Sequence, residues 1–267
     1  MVGRATVHAL LAAGDEVRAV VDPLDVAAGT VDALRARGVK TALGTLDDEA
    51  QIELACEQVH TVVHGAADLL QPPDDVLDDI ATVLSAALGA NAKRFVLASH
   101  QGADSPGDNA WLAAMAEAEA MLSDAPIDTV VVRRSLTYGP YDPLTHALVE
   151  GAPGADLEAV HAPIWVDDLA AGLVSADARD RDRGAVPHLV IPLTGPADCS
   201  LGEFVALLGG QLTAGRNTSI ARAQPGAPAL PTHVLGLLSR NFPHDPNQPT
   251  AGTSPEVGAA AIRENLP

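Results

Sequence analysis

Apolar positions fall in short runs that alternate with amphipathic stretches through the first half of the chain. Runs at Val17–Val21, Thr41–Leu43, Thr61–His64, Arg94–Ala98 and Thr129–Arg133 have the length and β-branched content of strands. Between them, Gly3–Ala13, Val31–Arg37, Asp48–Gln58, Asp75–Leu88 and Ala110–Ser123 repeat their apolar residues at helical spacing. Strands alternating with helices predict an α/β fold, a doubly wound parallel sheet with helices on both faces. Pro72-Pro73-Asp74-Asp75 is a helix start: proline fits the first turn, and the carboxylates meet the positive end of the helix dipole.

After Pro140 the pattern loosens. Pro163–Ser175 reads as a helix entered through Trp165-Val-Asp-Asp168, whose acids are explained by N-terminal capping. His188–Leu193 reads as a strand, Ser200–Leu208 as a helix and Ser254–Asn265 as a terminal helix. Residues 213–253 are rich in Pro, Gly, Asn and Thr and are expected to be mostly irregular. The division expected is a nucleotide-binding domain over 1–145 and a small substrate-type lobe with an irregular tail over 146–267.

The 267 residues carry 47% hydrophobic side chains but only 3% aromatic ones, so Ala, Val and Leu must fill most of the core. A net charge of −19 disfavours a phosphate backbone as partner, and no nucleic-acid role is expected. No apolar run reaches about 18 residues and no signal-peptide pattern opens the chain, so neither membrane insertion nor export is expected. Cys56 and Cys199 stand alone and suggest neither a disulfide framework nor a zinc site, with the cytoplasm as the expected compartment.

The first residues carry the most information. Met1-Val-Gly-Arg-Ala-Thr-Val opens a helix that leads into Glu16-Val-Arg-Ala-Val-Val-Asp22. In a dinucleotide-binding βαβ unit, a strand and a Gly-x-Gly-x-x-Gly turn precede such a helix, and an acid about 20 residues on takes the ribose hydroxyls. Gly3 stands where the last glycine would be and Asp22 where the acid would be. The first strand and the first two glycines are absent, which reads as a truncation or a misassigned start. A slot is then expected between Val17–Val21 and Thr61–His64, unless those two strands pair directly. A central strand buries roughly five apolar side chains at about 1.5–3 kcal/mol each. The chain is therefore expected to be marginally stable, with repacking or homodimerisation recovering part of the loss.

Further landmarks follow in order. They are Gly44-Thr-Leu-Asp-Asp48, His64-Gly-Ala-Ala67, Arg94-Phe-Val-Leu-Ala-Ser-His-Gln-Gly-Ala103, Arg133-Arg-Ser-Leu-Thr-Tyr-Gly-Pro140, Ile164-Trp-Val-Asp-Asp-Leu-Ala170 and Leu193-Thr-Gly-Pro196. In this order and spacing, residues 1 to about 210 resemble the extended and atypical short-chain dehydrogenase/reductases, the NAD-dependent epimerase/dehydratase group. The resemblance implies NAD(P) as cofactor and a small-molecule nucleotide as ligand. It implies cofactor contacts at Gly3, Arg4, Asp22, Leu46, Gly65, Ala66, Ala67 and Ser99, and substrate contacts at Arg134 and Tyr138. Asp22 favours NAD, because a carboxylate repels a 2′-phosphate; it reads equally as a turn acid before Pro23. Thr45 stands where the family usually has an aspartate that reads the adenine amino group. Arg134 replaces the family's proline and reads either as an anion ligand or as the partner of an acid.

The family's chemistry needs a Ser/Thr at the end of the fifth strand and Tyr-x-x-x-Lys on the next helix. The tyrosine exchanges a proton with the substrate oxygen, and the lysine lowers its pKa. Here His100 occupies the serine position, Trp111 the tyrosine position and Met115 the lysine position. Only Tyr138 and Tyr141, and only Lys40 and Lys93, occur in the chain, and none forms Tyr-x-x-x-Lys. Trp111 and Met115 are expected to fill the dyad's space as an apolar pair. His100 reads either as a proton shuttle, since its ordinary pKa is near neutral, or as a histidine bonded to a loop carbonyl. Two functions remain open: a nucleotide-binding or interaction protein without standard catalysis, or an atypical oxidoreductase or nucleotide-sugar epimerase/dehydratase that uses His100 or another base.

Overall fold

The computed structural model describes residues 1–23, 29–150, 154–178, 188–212, 230–250 and 252–265. The chain starts with helix α1 (Val2–Ala13), stopped by Gly14 in the left-handed region at φ 88°, where glycine has no Cβ to strain. The Gly14 and Asp15 amides close that end on the Leu11 and Leu10 carbonyls. Strand β1 (Arg18–Val21), helix α2 (Thr30–Ala36) and strand β2 (Lys40–Leu43) follow. These two strands pair in parallel, Arg18 opposite Lys40 through Val21 opposite Leu43. They carry a small core of their own, Val17, Val21, Val31, Leu34 and Val39, distinct from the main one.

Helix α3 (Glu49–Cys56) is capped by Asp48, whose side chain accepts from the Gln51 amide at 3.1 Å. After it comes a second, larger sheet of four parallel strands: β3 (Thr61–His64), β4 (Arg94–His100), β5 (Asp128–Arg134) and β9 (His188–Leu193), in that spatial order. All seven residues of β4 are buried, as expected of a strand flanked on both sides and covered on both faces. Helix α4 (Pro73–Gly89) starts at the expected prolines and acids and packs against α3 and against α5 (Ala110–Asp124). Asn109 caps α5 by accepting from the Leu112 amide at 3.0 Å.

The remaining elements cover the carboxyl ends of the strands. Strand β6 (Thr137–Tyr138) pairs with β8 (Ile164–Trp165), α6 spans Pro143–Glu150, and β7 (Val160–His161) pairs with β10 (Cys199–Ser200). Helix α7 (Val166–Ala178) lies over β4 and β5 and packs along α1. Asp167 and Asp168 stand in its first turn, but their side chains take the Trp165 indole N–H (3.0 Å) and the Thr253 amide (2.8 Å). Helices α8 (Leu201–Leu212), α9 (Thr232–Leu238) and α10 (Pro255–Asn265) complete the chain. The expectation of irregular chain over 213–253 is corrected in part, since α9 forms within it and buries Val234, Leu237 and Leu238. Residues 213–229 lie outside the described residues. No helix among the described residues is long and apolar enough to cross a membrane.

The parallel α/β architecture is as the sequence predicts, with the described strands of its parallel part divided between two sheets. The residues from Val2 onward are helical, and β1 and β3 belong to different sheets. Of the two outcomes foreseen, the slot is the one realised.

Candidate functional site

The slot opens into a cavity of about 1260 Å³ bounded by α1, β1, β3, and the segments that follow β3 and β6. Eight of the residues singled out above line it. Gly3 and Arg4 enter from the first turn of α1, Asp22 from the end of β1 and Leu46 from the segment after β2. Gly65, Ala66 and Ala67 follow β3, and Arg134 ends β5. Parallel strands all present their carboxyl ends to this side, which is where ligands bind in open α/β sheets.

Backbone approach is closest at Gly65. A Cβ there would come within 3.0 Å of Val2 Cγ1 and 3.8 Å of the Gly3 nitrogen, so a larger residue would push α1 off the β3 end. Around Gly3, by contrast, a Cβ would meet nothing within 4 Å, and that side of the helix start faces open space. The Arg4 guanidinium lies 5.8 Å from the centroid of the exposed Tyr141 ring. Arg134 is buried. It donates to Thr137 Oγ1 (2.9 Å) and the Ala67 carbonyl (3.2 Å), and its Nε has no partner. Burial lowers its pKa to about 10, against the pull of the Asp142 and Asp68 carboxylates. At that value it still carries its charge at neutral pH.

Ser99, His100 and Tyr138 do not reach the cavity. The Ser99 hydroxyl donates to Glu119 Oε1 at 2.5 Å. Glu119 in turn holds Arg133 through two donors, and Arg133 also reaches Asp104 at 2.9 Å. Ser99 and Arg133 thus belong to an ion-paired network between β4, β5 and α5. Tyr138 is packed edge-on between Trp165 and Phe204, with its hydroxyl donating to the Ser254 carbonyl at 3.3 Å; burial pushes its pKa up.

His100 has no exposed surface. Its Nδ1 lies 2.8 Å from the Gln101 carbonyl, and its Nε2 has no partner. Trp111 meets the ring edge-on at 5.6 Å and Phe242 at 5.4 Å. Desolvation lowers its pKa to about 3, so it is neutral across the physiological range. Trp111 and Met115 are likewise fully buried, one turn apart on α5. The Trp111 indole and the Met115 thioether do not titrate near neutral pH.

Sequence reasoning did not single out Phe242, His161, Asp68 or Asp142. Phe242 closes the His100 pocket from a segment tied down at several points: its amide donates to the Val160 carbonyl, and Arg240 donates to the Ser105 and Pro106 carbonyls. A single aromatic residue in a Pro/Asn-rich tract gives no local signal of such a role. In the structure a Cβ at Gly102 would lie 2.7 Å from the Phe242 ring, so the close approach of that ring requires glycine there.

Residues 1–175 match the model of a family described as NAD(P)H-binding. Among solved structures, UDP-glucose 4-epimerase of Thermotoga maritima, with UDP-glucose, is 16% identical, with a TM-score of 0.69 over 99% of this chain and 94% of that one. UDP-glucose 4-epimerase of Bifidobacterium longum, in complex with NAD+ and UDP, is 17% identical, with a TM-score of 0.68 over 98% and 94%. The Bordetella bronchiseptica enzyme WbmH, in complex with NAD+, is 17% identical, with a TM-score of 0.66 over 99% and 94%. At such identities the likeness establishes the fold. No curated protein matches the sequence significantly.

Proposed function

The chain belongs to the NAD(P)H-binding family, and on that premise we propose that it is a nucleotide-binding protein on a dehydrogenase scaffold without the standard proton-transfer chemistry. The observation that carries this reading is the packing of Trp111, Met115 and His100 into one sealed apolar cluster, where proton exchange with a ligand would be needed. Residues 1–145 would hold the nucleotide and 146–267 cover it, as a monomer or a homodimer.

The cavity fits part of a dinucleotide. Gly3, Arg4 and the first-turn amides of α1 would face the pyrophosphate, where the helix dipole favours an anion. Asp22 would accept from the ribose hydroxyls, Leu46 would pack on the adenine, and Gly65 to Ala67 would let the backbone come close. When bound, the dinucleotide supplies a hydride-accepting nicotinamide. Arg134 is the charged group this chain would offer to an anionic ligand near Ala67.

The test is calorimetric titration with NAD, NADH and NADPH, followed by a hydride-transfer screen over nucleotide-sugars. Binding, NAD-type over NADP-type, without turnover supports the reading. No binding of any of the three nucleotides contradicts it. Turnover that His100→Ala abolishes overturns the whole and establishes the active-enzyme alternative.

A further inference from the structure

We propose that Tyr141 is a nucleotide-binding position: its ring, held at the exposed edge of the cavity by the turn after β6, fixes the Arg4 guanidinium where the diphosphate of a bound dinucleotide would lie. This rests on the nucleotide reading given above. The first observation is the backbone. The Asp142 amide donates to the Gly139 carbonyl at 3.3 Å and closes a four-residue turn with Pro140 and Tyr141 at its centre. Tyr141 has φ 68°. Proline second and a positive φ third are the pattern of a type II turn, whose third position takes glycine or asparagine. A bulky side chain at positive φ is a rare and strained state, and such residues cluster at ligand clamps. The other non-glycine residues with positive φ among the described ones, Gln58 and Asn91, directly follow the C-caps of α3 and α4, where helices ordinarily end in this conformation. Tyr141 ends no helix.

The fold sets the direction of the ring from both sides. Before it, a Cβ at Gly139 would lie 2.6 Å from Val166 Cγ1, so the turn is packed against α7. After it, the Asp142 carboxylate accepts from the Thr145 amide (2.8 Å) and hydroxyl (2.6 Å), which ties the turn to the start of α6. Burial does not offset the strain: Tyr141 is 59% exposed and belongs to neither hydrophobic cluster. The ring instead lines the cavity together with Arg4, whose guanidinium carbon stands 5.8 Å from its centroid. Arg4 comes from the first turn of α1 and Tyr141 from the turn after β6, so the pair joins two walls of the cavity. A cation–π contact is weak in water and strengthens when water is excluded. A dinucleotide lying across Arg4 would exclude it. A guanidinium already held in place also loses less side-chain freedom when it binds an anion.

The experiment is calorimetric titration with NAD, together with a Tm for each protein. The unaltered chain is compared with Tyr141→Gly, Tyr141→Phe, Arg4→Gln and the double variant Arg4→Gln, Tyr141→Gly. Glycine suits the turn and removes the ring. Tyr141→Gly should therefore keep Tm at or above that of the unaltered chain while weakening NAD binding about fivefold to thirtyfold. Tyr141→Phe keeps the ring and should restore the affinity to within about twofold. In the Arg4→Gln background, Tyr141→Gly should cost no further affinity, because the ring acts through the guanidinium. A lower Tm with unchanged affinity in Tyr141→Gly would give the tyrosine a structural role only and overturn the proposal. An undiminished further loss in the Arg4→Gln background would overturn it as well. Absence of NAD binding by the unaltered chain would sink the nucleotide reading and this inference with it, whereas NAD binding that Tyr141→Gly leaves unchanged would sink this inference alone.

Discussion

Lowering the pH should unfold this protein through its buried histidines. Burial lowers the pKa of His100 to about 3 and of His64, whose two ring nitrogens lack partners, to about 4, against an ordinary 6.5; His161 is lowered as well. At pH 7 both residues are neutral whether the chain is folded or not, so they cost nothing. As the pH falls through 6.5, the unfolded chain takes up protons that the folded chain cannot. The loss is complete only below the folded values. At about 1.36 kcal/mol per pKa unit, the displacements correspond to about 5 kcal/mol for His100 and about 3 kcal/mol for His64. Together they rival the whole net stability of an ordinary domain, about 5–15 kcal/mol. The burial-raised carboxyls of Asp142 and Asp79 act in the opposite sense, since the folded chain gains protons there first. Around pH 5 the two histidines alone make stability fall by about 2.7 kcal/mol per pH unit, two protons' worth. Urea unfolding at pH 7 and pH 5, followed by far-ultraviolet circular dichroism, should differ by about 4 kcal/mol. In the double variant His64→Leu, His100→Leu the difference should shrink to about 1 kcal/mol or less. An undiminished difference in that variant would refute the argument, because the acid sensitivity would then lie elsewhere.

Two further outcomes follow from the packing around the would-be catalytic positions. Glu119→Gln should lose about 2–3 kcal/mol in urea titrations, toward the low end for breaking a buried pair because Arg133 keeps part of its side chain in water; an unchanged midpoint would mean that the network contributes nothing. Trp111→Tyr with Met115→Lys should give no hydride transfer and a markedly lower Tm, since it places an ammonium in a site without exposure while Phe242 and His100 still fill the adjoining space. Appearance of turnover would show that the site opens.

The parts of this protein legible in its sequence are those set by local pattern. β3 and β9 fall at the residues foreseen, because a β-branched run between turn residues has one stable backbone state. α4 starts at its prolines and acids for the same kind of reason. The placement of Gly3 and Asp22 in one cavity was legible too, because they keep the spacing of a dinucleotide-binding unit. Long-range closure left no such trace. Nothing around Phe242 signals that it would seal His100, a residue 142 positions earlier in the chain, and the Asn/Pro-rich tract around it hides α9. The two outcomes are linked. Trp111 and Met115 supply only apolar surface, and apolar surface at the end of a central strand must be covered by something. The carboxy-terminal segment supplies that cover, tied by Arg240 to the turn after β4 and by Asn109 to the His233 carbonyl. The indole of Trp111 thus helps form the apolar pocket in which His100 meets Phe242.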